Sequence, residues 1–192
     1  MLAALAGTLA SSSALSEPMR GIEREAIAAY LNSQAPGEPS RRTLVIESTT
    51  AITADAFISS GPDRKELASR LPEATSAVID DFIRVLSETS ALQIPGHLLR
   101  RDIRWQMIGE GDIDRIFSAK KLGVAWENFH KAYPGGGLLV RFSRVGIDER
   151  AAQALFFASV RSGGLGGSGF FVLLHRRFGI WRLLATEQAW IS

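Results

Sequence analysis

The chain has 192 residues, 46% hydrophobic and 22% charged, enough for one domain with its own core and too apolar for wholesale disorder. It has no cysteine, which excludes disulfides, thiolate zinc sites, iron–sulfur clusters and a cysteine nucleophile. Net charge is +2, but residues 1–96 are acidic on balance and residues 97–192 basic, with Arg far outnumbering Lys.

Residues 1–16 run from the small, apolar Met1–Ala10 into Ser11-Ser12-Ser13-Ala14-Leu15-Ser16. That order matches the hydrophobic region and cleavage zone of a signal peptide, with no Lys or Arg ahead of it. The expectation is a periplasmic or secreted protein with one domain over 17–192. The alternative is a cytoplasmic protein with a frayed N-terminal helix. No apolar run reaches the ~18 residues that a membrane-spanning helix needs.

Ile22–Asn32 has a helical period, with Ile22, Ala26, Ile27, Tyr30 and Leu31 on one side. Residues 34–42 hold two prolines and a glycine and predict a loop. Thr43–Thr50 is β-branched and predicts a strand. Residues 51–72 are ambiguous, with a short helix after Gly61-Pro62-Asp63 as one reading. Glu73–Ser90 carries Val78, Ile79, Phe82, Ile83 and Leu86 in a single apolar stripe and predicts a helix, with Pro72 in its first turn.

Leu98–Ile108 alternates polar residues and predicts a strand. Asp112 is placed to cap a helical turn through Phe117. Gly123–Ala132 predicts a helix with Trp126, Phe129, His130 and Tyr133 at i, i+3, i+4 and i+7. Pro134 and the triple glycine after it stop that helix. Four strands follow: Leu138–Val145, Gln153–Val160, Gly169–Arg177 and Ile180–Ile191. Short turns make them antiparallel neighbours, and Phe178-Gly179 is a tight hairpin connection. The fold class is α+β: N-terminal helices and strands packed on a C-terminal four-stranded antiparallel meander, with the helices on one face.

Gly164-Leu165-Gly166-Gly167-Ser168-Gly169 fits G-x-G-x-x-G. The strand-like Phe170-Phe171-Val172-Leu173-Leu174 follows it, where a dinucleotide site needs a helix N-terminus. His97, His130 and His175 lack zinc spacing, and no metal or cofactor is expected. Ser143, His130 and Glu187 could supply a hydrolase set, but no Gly-x-Ser-x-Gly elbow supports it. A period of two puts Glu187 in one row with Trp181, Leu183, Ala185, Ala189 and Ile191 on the last strand. The pairs Arg104-Trp105, Arg141-Phe142 and Trp181-Arg182 fit strands with one buried and one solvated face better than a nucleic-acid platform.

The chain resembles a family of small bacterial proteins without an assigned biochemical activity. The resemblance is carried by Trp126-x-x-Phe129-x-x-x-Tyr133-Pro134, Ser143-Arg144-Val145-Gly146, the strand from Ala154, Gly166–Gly169 leading into Phe170–Leu174, Trp181, and Trp190-Ile191-Ser192. It implies no catalytic residue. Such proteins often carry Cys near the glycine loop; this chain has none, so a metal or redox role is not implied.

The functional expectation is a binding protein. The sheet, closed by the Trp126–Tyr133 helix, would hold a small apolar ligand or a protein segment, with Trp126, His130, Tyr133, Ser143, Arg144, Glu187 and Trp190 as candidate lining residues. One alternative is a hydrolase-type or isomerase-type enzyme using His130 or Glu187 as base. The other is an interaction protein using its basic C-terminal half.

Overall fold

The computed structural model describes residues 18–34, 43–50, 62–119, 121–163 and 166–192. The signal-peptide reading of residues 1–16, the loop at 35–42 and most of the ambiguous stretch after Thr50 lie outside them.

Among the described residues the chain runs α1 (Gly21–Ser33), β1 (Thr43–Glu47), α2 (Arg64–Arg70), α3 (Ser76–Val85), a 3-10 turn (Gly96–Leu98), β2 (Trp105–Ile108), α4 (Glu110–Phe117), α5 (Leu122–Ala132), β3 (Gly136–Phe142), β4 (Gly146–Asp148), β5 (Gln153–Arg161), β6 (Gly167–Arg177) and β7 (Ile180–Ile191). The strands form one mixed sheet in the order β2-β1-β3-β5-β6-β7, with β4 also on β5. β1 pairs parallel with both β2 and β3. From β3 onward every pairing is antiparallel, which gives the four-stranded meander β3-β5-β6-β7. The α+β reading therefore holds. The parallel part arises because helices separate β1 from β2 and β2 from β3, leaving room for crossovers.

The helices cover both faces of the sheet, not one. α1 packs with Val140, Phe142, Phe156, Val172, Leu174 and Trp181. On the other face α2 and α3 pack over Leu155, Phe157, Phe171 and Leu173. On that same face α4 and α5 pack over Val45, Ile108 and Leu139. The strand residues explain this. Phe156 and Phe157 are both fully buried although they point to opposite faces, so β5 needs a cover on each side.

Several boundaries differ from the sequence reading, each for a local reason. The predicted Glu73–Ser90 helix begins at Ser76, because Thr75 caps it by accepting from the Val78 amide. Pro72 therefore lies outside its first turn. α2 starts as its Asp63 cap predicts, the carboxylate accepting from the amides of Lys65 and Glu66. The cap of α4 is Gly109, so Asp112 falls within the first turn. Leu98–Ile108 is a 3-10 turn plus a four-residue strand.

The predicted strand Leu138–Val145 breaks at Phe142. There the Ser143 hydroxyl takes the place of a ladder group: it accepts from the Phe157 amide at 2.8 Å and donates to the Arg144 carbonyl at 2.6 Å. The jog lets the chain re-pair with β5 as β4. At its far side Gly146 lies against the backbone of Phe82, where an added Cβ would come within 2.5 Å of the Phe82 Cα. Only glycine permits that approach of β4 to α3.

Candidate functional site

A row of polar side chains crosses the α2–α5 face between two apolar blocks. Parallel pairing sets Glu47 beside Ile108 and, one step beyond Ile46 opposite Val140, beside Arg141. Antiparallel pairing then sets Arg141 opposite Ser159, Ser159 opposite Gly169, and Gly169 opposite Trp190. Directly paired residues share a face, so Glu47, Arg141, Ser159 and the Trp190 indole form a seam across five strands. The block under α4 and α5 ends on one side of it, and the block under α2 and α3 begins on the other. Glu47 closes β1, at the carboxyl end of the parallel strands, where open α/β sheets place their ligands.

Every member of the seam is held in low dielectric. The side chains of Glu47 and Arg141 are 5% and 14% exposed and make an ion pair with Nε···Oε2 of 2.5 Å. The contact is not an aligned hydrogen bond. Glu47 Oε2, Arg141 Nε, Ser159 Oγ and Trp190 Nε1 are all buried without a hydrogen-bond partner among the described residues. A few such groups are ordinary in a whole protein; here they fall in one row across the sheet. Burial pushes the Glu47 carboxyl above its usual range; Arg141 and Thr49 oppose the rise, and Glu110 at the start of α4 adds to it.

Glycine makes room for the indole. A Cβ at Gly169 would strike Trp190 Nε1 and lie 2.6 Å from Phe157 Cζ, and one at Gly167 would lie 3.0 Å from the Trp190 ring. The glycine-rich segment thus enters β6 and seats Trp190, whose ring carries the Arg161 guanidinium at 5.5 Å. A strand follows the loop, so the helix N-terminus of a dinucleotide fold is absent at this point.

The residues singled out from sequence fall in different places. Trp126 is core: it packs edge-on against Phe117 at 5.3 Å and Phe129 at 5.1 Å. α5 thus turns its aromatic face to the sheet. Tyr133 is half-buried against Phe129. His130 is exposed, its Nδ1 3.1 Å from the Gly136 carbonyl, joining the end of α5 to β3. Ser143 and Arg144 serve the fold: Ser143 bonds the backbone at Phe157 and Arg144, and Arg144 pairs with Glu23 of α1, on the side of the sheet away from the seam. Trp190 alone belongs to the seam.

Glu187 departs from its expected row. β7 slips register against β6 between Leu173 and Leu174 and again between Gly169 and Phe170. The first slip leaves Leu184 unpaired, so Trp181 and Leu183 face α1 while Ala185 and Glu187 face α2. Glu187 there lies 3.9 Å from Arg70, half-exposed.

Sequence reasoning missed Glu47, Arg141 and Ser159. Their signal was faint: a carboxylate ending the apolar run Leu44-Val45-Ile46, an Arg between Val140 and Phe142, and a Ser ending Phe156-Phe157-Ala158. Each alone reads as a solvated position, and only the strand order aligns them.

A concavity of about 440 Å³ lies on the α1 face and is lined by Ala28, Ala29, Leu98, Ile180 and Trp181 with Glu25, Asn32 and Arg176. Its charged and amide groups are already engaged, while the buried Trp181 Nε1 has no hydrogen-bond partner among the described residues. Arg176 meets Glu25 at 3.4 Å, and the Asn32 side chain bonds the backbone at Leu98 and Arg100. Among the described residues no group of three His, Asp or Glu side chains could hold a metal ion, and no helix is long and apolar enough to cross a membrane. Comparison with family models, with curated proteins and with solved structures returns no match to this chain.

Proposed function

We propose that the protein is a binding domain whose site is the Glu47–Arg141–Ser159–Trp190 seam, and that it takes a small ligand presenting a carboxylate or similar anionic acceptor. The observation that supports this reading is a buried polar row: the Ser159 hydroxyl and the Trp190 indole N–H have no hydrogen-bond partner among the described residues, and the Arg141 guanidinium, ion-paired with Glu47, lies in the same row. A ligand acceptor would satisfy them together, and a buried donor left unsatisfied costs about 1–3 kcal/mol. Arg141 gives charge and geometry, Ser159 and Trp190 give direction, and Phe157 beside Trp190 gives an apolar wall. Glu47 keeps Arg141 oriented, and because burial raises its carboxyl, its protonated form leaves the single positive charge of Arg141 for a monoanion.

A second reading is favoured by one feature, the raised Glu47 carboxyl at the end of the parallel strands. A carboxyl poised this way is suited to general acid–base work. Turnover would then depend on Glu47 and not on His130 or Glu187.

The test is native mass spectrometry of the protein purified from its own cells, paired with thermal-shift measurements against benzoate, succinate and acetate. The binding reading predicts a retained adduct or a stabilising carboxylate, lost in Arg141→Gln and Ser159→Ala. A wild-type protein with neither adduct nor response contradicts it.

A further inference from the structure

The β6–β7 hairpin ends in a two-residue turn that folding does not explain. Phe178 (φ 50°) and Gly179 (φ 77°) both lie in the left-handed region. Asn-Gly or Asp-Gly is the pair that fits such a turn, and a bulky aromatic at its first position is strained. Packing gives nothing back, because Phe178 is 102% exposed, and Ile180 beside it is 59% exposed. The apolar tip is therefore costly to the chain and open to solvent.

Cations surround it. Arg177 and Arg182 are exposed on the two strands of the hairpin and make no ion pair among the described residues. Arg150 lies in the adjoining turn, whose Ala152 carbonyl accepts from the Arg176 amide at 2.7 Å. The nearby acids are matched: Glu25 by Arg176 at 3.4 Å and Glu149 by Arg20 at 3.8 Å. Arg177 Nε donates to His175 Nδ1 at 3.3 Å, which holds the guanidinium at the hairpin end.

We infer that this tip docks on an anionic membrane surface, with Phe178 and Ile180 entering the headgroup–acyl boundary and Arg177, Arg182 and Arg150 meeting lipid phosphates. Its shape favours that occupant over a protein. Two apolar side chains on a turn cannot supply the roughly 800 Å² per partner of a stable protein interface. A bilayer accepts a small wedge, and each Arg near an anionic surface adds to the attraction. A second copy pairing along β7 is opposed by its two register slips and by Arg182 and Glu187 on the edge strand. The contact is peripheral and independent of the seam.

The test is sedimentation of the full chain with vesicles of phosphatidylglycerol and phosphatidylcholine, against vesicles of phosphatidylcholine alone. The expected result is binding to the anionic vesicles only, weakened severalfold on raising salt above about 0.15 M. Phe178→Asn relieves the turn, so it is expected to leave the unfolding midpoint unchanged or higher while weakening vesicle binding about tenfold. Arg177→Gln with Arg182→Gln is expected to do the same at unchanged fold. Absence of binding to phosphatidylglycerol vesicles overturns the inference, as does full binding by Phe178→Asn. Concentration-dependent dimerisation in sedimentation velocity that Phe178→Asn abolishes also overturns it, by assigning the tip to self-association.

Discussion

Arg144 grips Glu23 as a fork, Nε donating to Oε2 at 3.0 Å and Nη2 to Oε1 at 3.1 Å, across 121 residues of sequence. Its remaining nitrogen, Nη1, donates to Glu88 at 3.1 Å and to the Ser90 hydroxyl at 2.7 Å. One side chain from the β3–β4 jog thus ties α1 to the segment after α3. Both partners of the fork are buried, Glu23 completely. This accounts for the Ser143-Arg144-Val145-Gly146 motif as architecture: Ser143 makes the jog, Arg144 clamps the helices, Val145 enters the core, and Gly146 admits α3.

Removing Arg144 leaves the fully buried Glu23 carboxylate with the half-exposed Arg20, 3.0 Å away, as its remaining cation. Arg144→Ala should cost about 3–5 kcal/mol in urea unfolding. Replacing both Arg144 and Glu23 by Met should recover much of that loss, because no uncompensated charge remains. Equal losses in the single and double variants would show that the contact is not the source of the stability.

Gly146→Ala and Gly169→Ala separate backbone from side-chain crowding. The first drives a methyl into the Phe82 backbone, which cannot move without shifting α3. The second meets side-chain atoms, Trp190 Nε1 and Cδ1 and Phe157 Cζ, and the half-buried indole can shift to relieve the contact. Each should destabilise by about 1–3 kcal/mol, with Gly146→Ala the more costly. Gly169→Ala alone should change the tryptophan fluorescence, since it displaces Trp190 from its seat.

The meander was legible because its strands are long and joined by short turns, and Phe178-Gly179 marked the hairpin directly. The two-faced cover was less so, although the adjacent Phe156 and Phe157, both apolar with opposite directions, carried that message. The Glu187 row failed because strict alternation assumes an unbroken ladder, and the unpaired Leu184 reverses the faces partway along β7. The seam could not be read at all from local pattern. Arg141 and Ser159 lie on neighbouring strands of the meander, but Glu47 reaches Arg141 only because two helical crossovers bring β1 beside β3. Trp126 looked like a ligand platform because aromatic spacing on a helix is the same whether the face meets a ligand or a sheet.

Glu47 gives a pH signature. Its carboxyl lies above the ordinary 4.5 in the folded chain, mainly because of burial. The folded state therefore holds this proton more tightly than the unfolded one. The contribution of Glu47 to stability is greatest below 4.5 and falls as pH rises through the folded value. Glu47→Gln should remove that downward slope from the mildly acidic range, as read from urea midpoints taken across it. Parallel slopes in the two proteins would place the Glu47 carboxylate in a more solvated setting.

Thr75 caps α3 and also donates to Asp148 at 2.7 Å, while its amide donates to the Gln153 side chain at 2.8 Å. Thr75→Ala should cost about 1 kcal/mol through the lost cap. Hydrogen exchange at the first turn of α3 should rise with it, and amides of β1 should be unaffected.

The most direct test of the seam is the indole N–H resonance of Trp190, observed in nitrogen-15 correlation spectra during titration with benzoate and succinate. An acceptor entering between Arg141, Ser159 and Trp190 should shift that one indole peak saturably, and Arg141→Gln should abolish the shift. A Trp190 peak that stays fixed through the titration, or moves equally in Arg141→Gln, would contradict the seam as a ligand site.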